Sequence, residues 1–323
     1  MIRYISSFSE ELARYQNHYL ATHISHSRLT YLRKFDAYWH EREYPSLLTK
    51  ERLAQWIRRQ GTETIETQRS KVLAIRQFGN YLHSIGQRQH YILPHGITPK
   101  VCRYRPYLFT EEDLKRLFSQ EVMGTLKPGS SAMSRQYVLP QLYSTIHFCG
   151  LRPSEATGLL VEDVNLEQGW LDIRTTKTCR DRRLPVSGLL LAELRGYDRL
   201  MRQRLPERTY FFPTTKHEQY KGSSVSTIFT RLLKANSIAQ PALGSSPRLY
   251  DLRHHFVFRN INMWIDEGKD VNGLLPYLRM YLGHSSIRDT EYYLQWVPEY
   301  FPVFERLYGG LAANLPEVSD GQN

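Results

Sequence analysis

Four stretches in the second half of the chain contain cationic side chains and candidate nucleophiles in apolar or turn surroundings. Arg152 follows a Gly-Leu corner in HFCGLRPSEATGLLVEDV, and Lys177 stands in the polar turn TTKTCRDRRLP. Arg253 lies in RLYDLRHHFVFRN, and His284 precedes a tyrosine pair at 292–293 in LRMYLGHSSIRDTEYYLQW. Guanidinium groups bind anionic oxygens, and a tyrosine hydroxyl can act as a nucleophile. Together the stretches present cations and a nucleophile rather than the groups of a hydrolase.

The chain lacks the motifs of several common catalytic classes. It contains no Gly-x-x-x-x-Gly-Lys loop, no His-Glu-x-x-His pair and no carboxylate cluster of the kind that holds magnesium. Cys102, Cys149 and Cys179 are too scattered for a disulfide framework or a zinc site. No signal-like segment and no run of about eighteen apolar residues is present. We therefore expect no metal, no cofactor and no membrane association, and a reducing, cytoplasmic environment.

Each stretch taken alone also has a purely structural interpretation. Arg152 could be a structural cation paired with Glu155 or Asp163. A lysine at a hairpin tip, such as Lys177, is usually solvated. The adjacent histidines at 254–255 point about 100° apart on a helix, which favours packing over metal binding. The helical phase of the tyrosine pair does not decide which tyrosine, if either, reacts.

Residues 1–99 are predicted to form a small helical domain, because apolar residues recur at helical spacing in four segments. Residues 1–104 carry 16 Lys/Arg against 8 Asp/Glu, and so hold +8 of the formal net charge of +11. A basic and aromatic-rich chain suits binding to a phosphate backbone. A basic protein with solvated helix faces is the alternative interpretation.

A linker at residues 100–107 is predicted to separate this domain from a second one at 108–296. Thr110 and Asp113 form a capping-box-like pair that opens the first helix of the second domain. WLDIRTTKTCRDRRLPVS alternates as two short strands about a cationic turn, and helical patterns surround it. The predicted fold class is mainly α with a small antiparallel β-sheet. Residues 297–323 are predicted to be a separate C-terminal segment.

The order of these motifs is more specific than any one of them. Gly-Leu-Arg-x-x-Glu, a hairpin lysine, x-x-Leu-Arg-His, Leu-Gly-His and then a tyrosine resemble the catalytic domain of the tyrosine recombinases, the phage integrase family. The match extends from about Phe109 to Trp296, and the upstream helices are similar to the family's SAM-like core-binding domain. The resemblance implies double-stranded DNA with specific recombination sites as the partner. It also implies a homo-oligomer, from dimer to tetramer, or related recombinases on that DNA.

The resemblance further implies a reaction and a role for each residue. Family members attack a phosphodiester with tyrosine, leaving a 3′-phosphotyrosine and a free 5′-hydroxyl, without metal or ATP. Arg152 and Arg253 match the two arginines that bind the phosphate, and His284 matches a position that hydrogen-bonds it. Lys177 matches the lysine that protonates the leaving 5′-oxygen, and Glu155 an acidic residue that supports the first arginine and the lysine. The hairpin also holds competing cations, namely Arg180, Arg182 and Arg183.

One position departs from the family pattern. Tyr250 stands three residues before Arg253, where family members usually carry a histidine that assists with the nucleophile's proton. A phenol can donate a hydrogen bond to phosphate but is a poorer base than imidazole at neutral pH. The role of position 250 as proton acceptor is therefore in doubt, and His254 or a phosphate oxygen is an alternative acceptor.

The resemblance selects one member of the tyrosine pair. In the family the nucleophile stands nine residues after the histidine of Leu-Gly-His and three after a threonine, here His284 and Thr290. Both counts end at Tyr293. Tyr293 is therefore the predicted nucleophile, and Tyr292 the predicted packing residue.

Several biological roles fit this order of motifs. We expect integration, excision or transposition of a mobile element, with dimer resolution by a Xer-like recombinase as an alternative. A catalytically inactive accessory recombinase and a type IB topoisomerase-like enzyme are two further alternatives. The segment at 297–323 carries an apolar stripe, which could pack on its own domain or dock on a neighbouring protomer.

Overall fold

The computed structural model describes residues 3–22, 27–100, 106–126, 132–174, 181–238 and 246–294. The chain divides into two compact units, Met1–Tyr104 and Arg105–Asn323. The predicted C-terminal segment at 297–323 lies outside the described residues. No helix of the described residues is long and apolar enough to cross a membrane.

The first unit is a helical bundle, as predicted. Its helices are α1 (Ser9–Thr22), α2 (Ser27–Glu41), α3 (Lys50–Ile57) and α4 (Ile65–Ser84). The core is aromatic: the ring of Phe8 packs on those of Phe35, Trp39 and Phe78, with centroids 5.6–6.4 Å apart. Aromatic rings bury large apolar areas, so a bundle of four short helices gains a substantial core from them.

Two cations of α4 are structural. Lys71 is buried, pairs with Glu63 at 3.1 Å and lies 4.6 Å from the ring centroid of Trp56. Arg76 is also buried, and its Nε donates to the carbonyl of Leu93 at 2.7 Å. These two charges stabilise the bundle, so they are not part of its outward-facing positive charge.

The second unit is mostly helical. Its helices are α5 (Glu111–Leu117), α6 (Gln120–Gly124), α7 (Ala132–Cys149), α8 (Pro153–Thr157), α9 (Gly188–Arg204), α10 (Gly222–Ala235), α11 (Asp251–Asp266), α12 (Val271–Leu282) and α13 (Arg288–Glu291). The predicted capping box at the start of α5 is confirmed. Asp113 N donates to Thr110 Oγ1 at 3.0 Å, and Thr110 N donates to Asp113 Oδ2 at 3.2 Å.

A three-stranded antiparallel sheet completes the second unit. Its strands are β1 (Val164–Asn165), β2 (Trp170–Ile173) and β3 (Arg182–Pro185), in the order β1-β2-β3. The two strands predicted around the cationic turn are β2 and β3, and β1 is an additional short edge strand. The small antiparallel sheet of the predicted fold class is therefore confirmed.

Two apolar clusters hold the second unit together. The larger one surrounds α7, which packs against α9 and α11 and contributes the fully buried Leu142 and Ile146. Cys149 ends this helix, and complete burial raises the pKa of its thiol to about 12. The smaller cluster joins α11 and α12 to Tyr293 and Leu294. The segment after α13 is therefore packed against the helices that carry Arg253 and the Leu-Gly-His stretch.

Candidate active site

Glu155 lies at the centre of the polar cluster. It occupies the third position of α8, and Arg152 is the residue just before this helix. The backbone N–H of Arg152 donates to Glu155 Oε2 at 2.9 Å. Pro153 begins the helix, where the missing N–H of proline costs nothing. The Glu155 side chain is 5% exposed. A buried carboxylate needs cationic partners, and this one has several.

Three guanidinium groups surround that carboxylate. Arg152 Nη1 lies 2.6 Å from Glu155 Oε1, Arg182 Nη2 2.8 Å from Oε2, and Arg253 Nη1 3.6 Å from Oε2. Burial opposes ionisation of Glu155, but the arginines outweigh it and hold the pKa of the carboxyl below its usual range. Of the two partners considered for Arg152, the structure selects Glu155, whereas Asp163 pairs with Arg174 at 2.9 Å.

The end of α12 supplies the other side of the cluster. The carbonyl of Leu282 accepts from Arg253 Nη2 at 2.7 Å and from Arg152 Nη1 at 3.4 Å. The carbonyl of Gly283 accepts from Arg152 Nη2 at 3.1 Å. Carbonyls at the end of a helix lack partners within it and carry partial negative charge, so they suit guanidinium donors. The two arginines are thereby fixed between α8 and the end of α12.

Gly283 makes this arrangement possible. It ends α12 in the left-handed region with φ 63°, a conformation that glycine adopts without steric cost. A Cβ at this position would lie 2.8 Å from Arg182 Nη1. Arg182 in turn donates from Nε to the carbonyl of Tyr281 at 2.7 Å. The glycine of Leu-Gly-His therefore provides both the turn and the space for a guanidinium group.

Arg253 is completely buried. Its Nη1 donates to the carbonyl of Gly150 at 2.7 Å, and its Nη2 lies 3.1 Å from His284 Nε2. Burial is the main reason that its pKa is lowered from the ordinary arginine value. Its fixed position on α11 follows from these bonds, because a guanidinium group with several acceptors in place has little freedom to turn.

His284 is held in a defined tautomer. Arginine can only donate, so Nε2 of His284 accepts from Arg253. Nδ1 therefore carries the proton and donates to Thr290 Oγ1 at 2.9 Å. Burial, together with Arg253, Arg152 and Arg182, lowers the pKa of His284 to about 3, which agrees with a neutral ring. In this arrangement the histidine presents no N–H at Nε2 for a substrate.

Tyr293 belongs to the cluster, and Tyr292 lies beside it. The hydroxyl of Tyr293 lies 2.9 Å from His254 Nδ1, and the residue is 3% exposed. Its ring is parallel to that of His284 with centroids 6.4 Å apart, and burial raises the pKa of its hydroxyl. Tyr292 is half-buried and packs its ring at right angles to that of Tyr293, at 5.7 Å.

Tyr250 and His254 lie one helical turn apart at the start of α11, with ring centroids 5.0 Å apart. Burial lowers the pKa of the Arg152 guanidinium group, but Glu155 and, to a smaller extent, Tyr250 outweigh it and raise this pKa above the ordinary value. Burial, then Arg253 and Arg248, lowers the pKa of His254 to about 4. The imidazole of His254 is therefore neutral at physiological pH.

Two of the four candidate cations of the predicted turn lie within the described residues, and they point to opposite sides of β3. Lys177 and Arg180 lie outside the described residues. Arg182 contacts Glu155 and Tyr281, whereas Arg183 is largely exposed, pairs with Asp172 at 2.7 Å and lies over the ring of Trp170.

The sequence interpretation missed the anchoring position of Arg182. The signal was available, because Arg182 and the buried Leu184 are two residues apart on β3 and so share one face of the sheet. Alternation therefore predicts that Arg182 points inward and Arg183 outward. Within the described ranges, His, Cys, Asp and Glu form no group of three that could hold a metal ion.

Comparison with known proteins identifies the family. The sequence model of the phage integrase family matches residues 109–299. Among curated proteins, the chain is 28% identical over 269 residues to integrase/recombinase y4rB of Sinorhizobium fredii, covering 82% of this chain and 85% of the relative. It is 30% identical over 219 residues to tyrosine recombinase XerA of Pyrococcus furiosus, covering 66% and 68%.

Solved structures show the same fold. A lambda integrase tetramer bound to a Holliday junction matches with a TM-score of 0.61 at 16% identity, covering 90% of this chain and 77% of that one. XerH recombinase bound to a palindromic difH substrate matches with a TM-score of 0.60 at 17% identity, covering 87% and 77%. With the family match across the whole polar cluster, these findings confirm the resemblance, and the chain belongs to the phage integrase family of tyrosine recombinases.

Proposed function

We propose that the protein is a site-specific recombinase that cuts and rejoins DNA through a 3′-phosphotyrosine at Tyr293. The observation that carries the proposal is the convergence of a buried tyrosine hydroxyl, two fixed arginines and a histidine in one cluster. Three guanidinium groups face one carboxylate there, so the cluster has an excess of positive charge. That excess suits a phosphodiester, whose non-bridging oxygens gain charge in the transition state.

In the proposed first step Tyr293 attacks phosphorus while Arg152 and Arg253 bind the non-bridging oxygens. Arg152 is the more accessible of the two, with 16% of its side chain exposed. Lys177, which stands between β2 and β3 in the sequence, is proposed to protonate the leaving 5′-oxygen. A 5′-hydroxyl from a second strand then reverses the step, so the energy of the phosphoester bond is kept and neither ATP nor a metal is required.

His284 is proposed to act first on Arg253 and then on the phosphate. Its Nε2 now accepts from Arg253, so a bond from this nitrogen to phosphate requires a proton there. Arg253, Arg152 and Arg182 are among the causes of its low pKa. A bound phosphodiester partly neutralises these charges and raises the pKa of His284, which favours the protonated ring.

The proposed partner is double-stranded DNA carrying a specific site, bound by two to four copies of the chain. Among the solved structures with this fold, XerH is bound to difH substrate, and lambda integrase is bound to DNA as a dimer or a tetramer. The basic residues of the first unit support DNA binding by that unit. Docking of the segment at 297–323 on a neighbouring protomer belongs to the same proposal, as does action in the cytoplasm.

Integration, excision or transposition of a mobile element is the proposed biological role, and dimer resolution is the second candidate. The similarity to y4rB, named as an integrase/recombinase, favours the first, and the similarity to XerA favours the second. Nuclease footprinting on the DNA that flanks the gene, and on other chromosomal and plasmid fragments, distinguishes them. Protection of repeated ends of an inserted element supports the first role, and protection of a single chromosomal or plasmid site supports the second.

Trapping of the covalent intermediate tests the activity. The footprinted duplex, nicked beside the cleavage position, loses a short fragment on cleavage and leaves the protein attached. We expect an SDS-stable adduct with the wild type and with Tyr292→Phe, and none with Tyr293→Phe, which should still bind DNA. No adduct with the wild type would support the accessory protein. Relaxation of plasmids without a preferred site would support the topoisomerase-like alternative.

A further inference from the structure

The Tyr293 hydroxyl must lose its proton when it forms a bond to phosphorus. The usual histidine three residues before the second arginine is replaced here by Tyr250, and a phenol is a poor proton acceptor at neutral pH. Burial also raises the pKa of the Tyr293 hydroxyl, so spontaneous ionisation is disfavoured. The reaction therefore needs another acceptor close to this oxygen.

His254 has the geometry of that acceptor. Its Nδ1 lies 2.9 Å from the Tyr293 hydroxyl oxygen, which is within the distance expected for proton transfer between heavy atoms. The imidazole and phenol rings are in contact, with centroids 5.4 Å apart. His254 is one residue beyond Arg253 on α11, so the helix that fixes a phosphate-binding arginine also fixes the acceptor.

The other nearby histidine is less suitable. Both ring nitrogens of His284 already have partners, Arg253 at Nε2 and Thr290 at Nδ1. Its ring lies parallel to that of Tyr293 at 6.4 Å between centroids, which is a stacking arrangement rather than one that points a nitrogen at the hydroxyl. A non-bridging phosphate oxygen remains as the competing proton acceptor, and the cleavage rate of a His254 variant distinguishes the two.

We propose that His254 Nδ1 is the general base that accepts the Tyr293 proton during strand cleavage. This role rests on the proposed recombinase function and assigns its proton acceptor. The Tyr293 oxygen forms a bond to phosphorus while its proton passes to Nδ1, and the bond from phosphorus to the 5′-oxygen breaks. The 5′-oxygen takes its proton from the general acid, proposed above as Lys177. In rejoining, the 5′-hydroxyl returns that proton, and the imidazolium protonates the departing Tyr293.

Charge in the bound complex favours this transfer. Burial is the main cause of the low basicity of His254 in the free protein, and Arg253 and Arg248 add to it. A phosphodiester between the arginines brings negative charge beside the imidazolium that forms. Its charge partly offsets these cations and raises the proton affinity of Nδ1 when the proton must move.

Replacement of His254 by asparagine is the most direct test. The Asn amide oxygen can take the place of Nδ1 and accept a hydrogen bond from Tyr293, but it does not accept a proton. We expect His254→Asn to form the covalent adduct about 100- to 10,000-fold more slowly in a single-turnover reaction on the nicked duplex. Its affinity for uncleaved DNA and its thermal unfolding should stay close to those of the wild type.

His255→Asn is the matched control. His255 is the next residue of α11, and its ring stacks on His147 at 5.3 Å between centroids rather than on Tyr293. The same substitution one position along the helix should therefore leave the cleavage rate within about threefold of the wild type, as expected for a residue that lies outside the reaction. Equal losses in the two variants would indicate a structural effect of α11 and would overturn the proposal.

A substrate with sulfur in place of the bridging 5′-oxygen distinguishes base from acid. A thiolate leaves without protonation, so this substrate should restore cleavage by Lys177→Ala and leave His254→Asn slow. Recovery of His254→Asn on the same substrate would place His254 on the leaving-group side and overturn the proposal. A wild-type rate in His254→Asn on normal DNA would identify the phosphate oxygen as acceptor. If even the wild type forms no adduct, the recombinase function itself fails.

Discussion

Neighbouring residues of β3 perform different tasks. Arg182 is 9% exposed at its side chain and contacts Glu155 through two nitrogens, whereas Arg183 is 58% exposed and pairs with Asp172 near the protein surface. A buried carboxylate that loses one cationic partner is destabilised, while an exposed ion pair contributes little. The two arginines therefore form a natural comparison within one strand.

We predict that Arg182→Ala lowers the free energy of unfolding by about 2 kcal/mol, because Glu155 keeps Arg152 and Arg253 as partners. The variant should also form the adduct more slowly, by a factor that corresponds to at least the same free energy, because Glu155 and Arg152 lose their fixed positions. Arg183→Ala should change the free energy of unfolding by about 0.5 kcal/mol or less. Urea unfolding monitored by circular dichroism measures both, and similar losses in the two variants would contradict the anchoring role of Arg182.

Tyr250 influences the same cluster through its hydroxyl and through its ring. Its hydroxyl interacts with Arg152, and its ring packs against His254. Tyr250→Phe keeps the ring and removes the hydroxyl, so we expect adduct formation to slow by about tenfold without being abolished, as for loss of one hydrogen bond to a charged group. Tyr250→His should be tolerated. An inactive Tyr250→His variant on the nicked duplex would show that the phenol is required at this position.

The end of α12 holds three arginines in place, because its carbonyls accept their hydrogen bonds and its glycine leaves room for one guanidinium group. Leu282 and Gly283 direct their carbonyls at Arg152, and Leu282 also accepts from Arg253. The helix must therefore stop at this residue, in this conformation. A shift of the end by one residue would move the acceptors, since successive carbonyls lie about 100° apart around the helix axis.

Gly283→Ala tests whether a glycine is required at the end of α12. Both Gly283 and Gly268 follow a helix with positive φ, 63° and 66°, but a Cβ at Gly268 meets open space. Alanine at Gly268 should cost only the backbone strain, about 1 kcal/mol. Alanine at Gly283 should cost about 1 kcal/mol more and slow adduct formation, because it displaces Arg182. Unfolding curves of the two variants give the difference, and equal costs would mean that the guanidinium group moves aside freely.

Buried histidines link the stability of the protein to pH. The pKa values of His147 and His284 are lowered to about 3, and that of His254 to about 4, in each case mainly by burial. The unfolded chain titrates near 6.5, so it binds more protons than the folded chain between these values. The contribution of these histidines to the free energy of unfolding is therefore fully present above pH 6.5. It is lost as the pH falls from 6.5 towards the folded-state pKa values.

His147→Asn isolates one of these contributions without touching the active site. In the wild type, lowering the pH from 7.5 to 5.5 should cost about 1.4 kcal/mol through this residue alone. The variant should be less stable at pH 7.5 but should lose that much less on acidification. Guanidinium chloride unfolding at the two pH values measures the change, and parallel losses in both proteins would show that His147 titrates normally.

Much of this architecture was predictable because the signals are local. Capping by Thr110 and Asp113, alternation in β2 and β3, and the pairing of Arg152 with Glu155 all depend on residues within a few positions of each other. Contacts between distant segments had no such signal. The hydrogen bond from Tyr293 to His254 joins residues 39 positions apart, and the acceptors for the arginines are backbone carbonyls, which any residue type supplies. Family spacing predicted Tyr293 as the nucleophile, whereas its contact with His254 becomes visible only in the fold.

The burial of Cys149 has a practical consequence for labelling. Its thiol is completely enclosed and has a pKa raised to about 12, so it is scarcely ionised and reacts slowly with maleimides. The two other cysteines in the sequence are Cys102 and Cys179, and Cys179 stands two residues after Lys177. In a Cys102→Ser variant, fast labelling by a maleimide would therefore report on Cys179 rather than on Cys149. A dye there would report on the Lys177 segment without further engineering of the core.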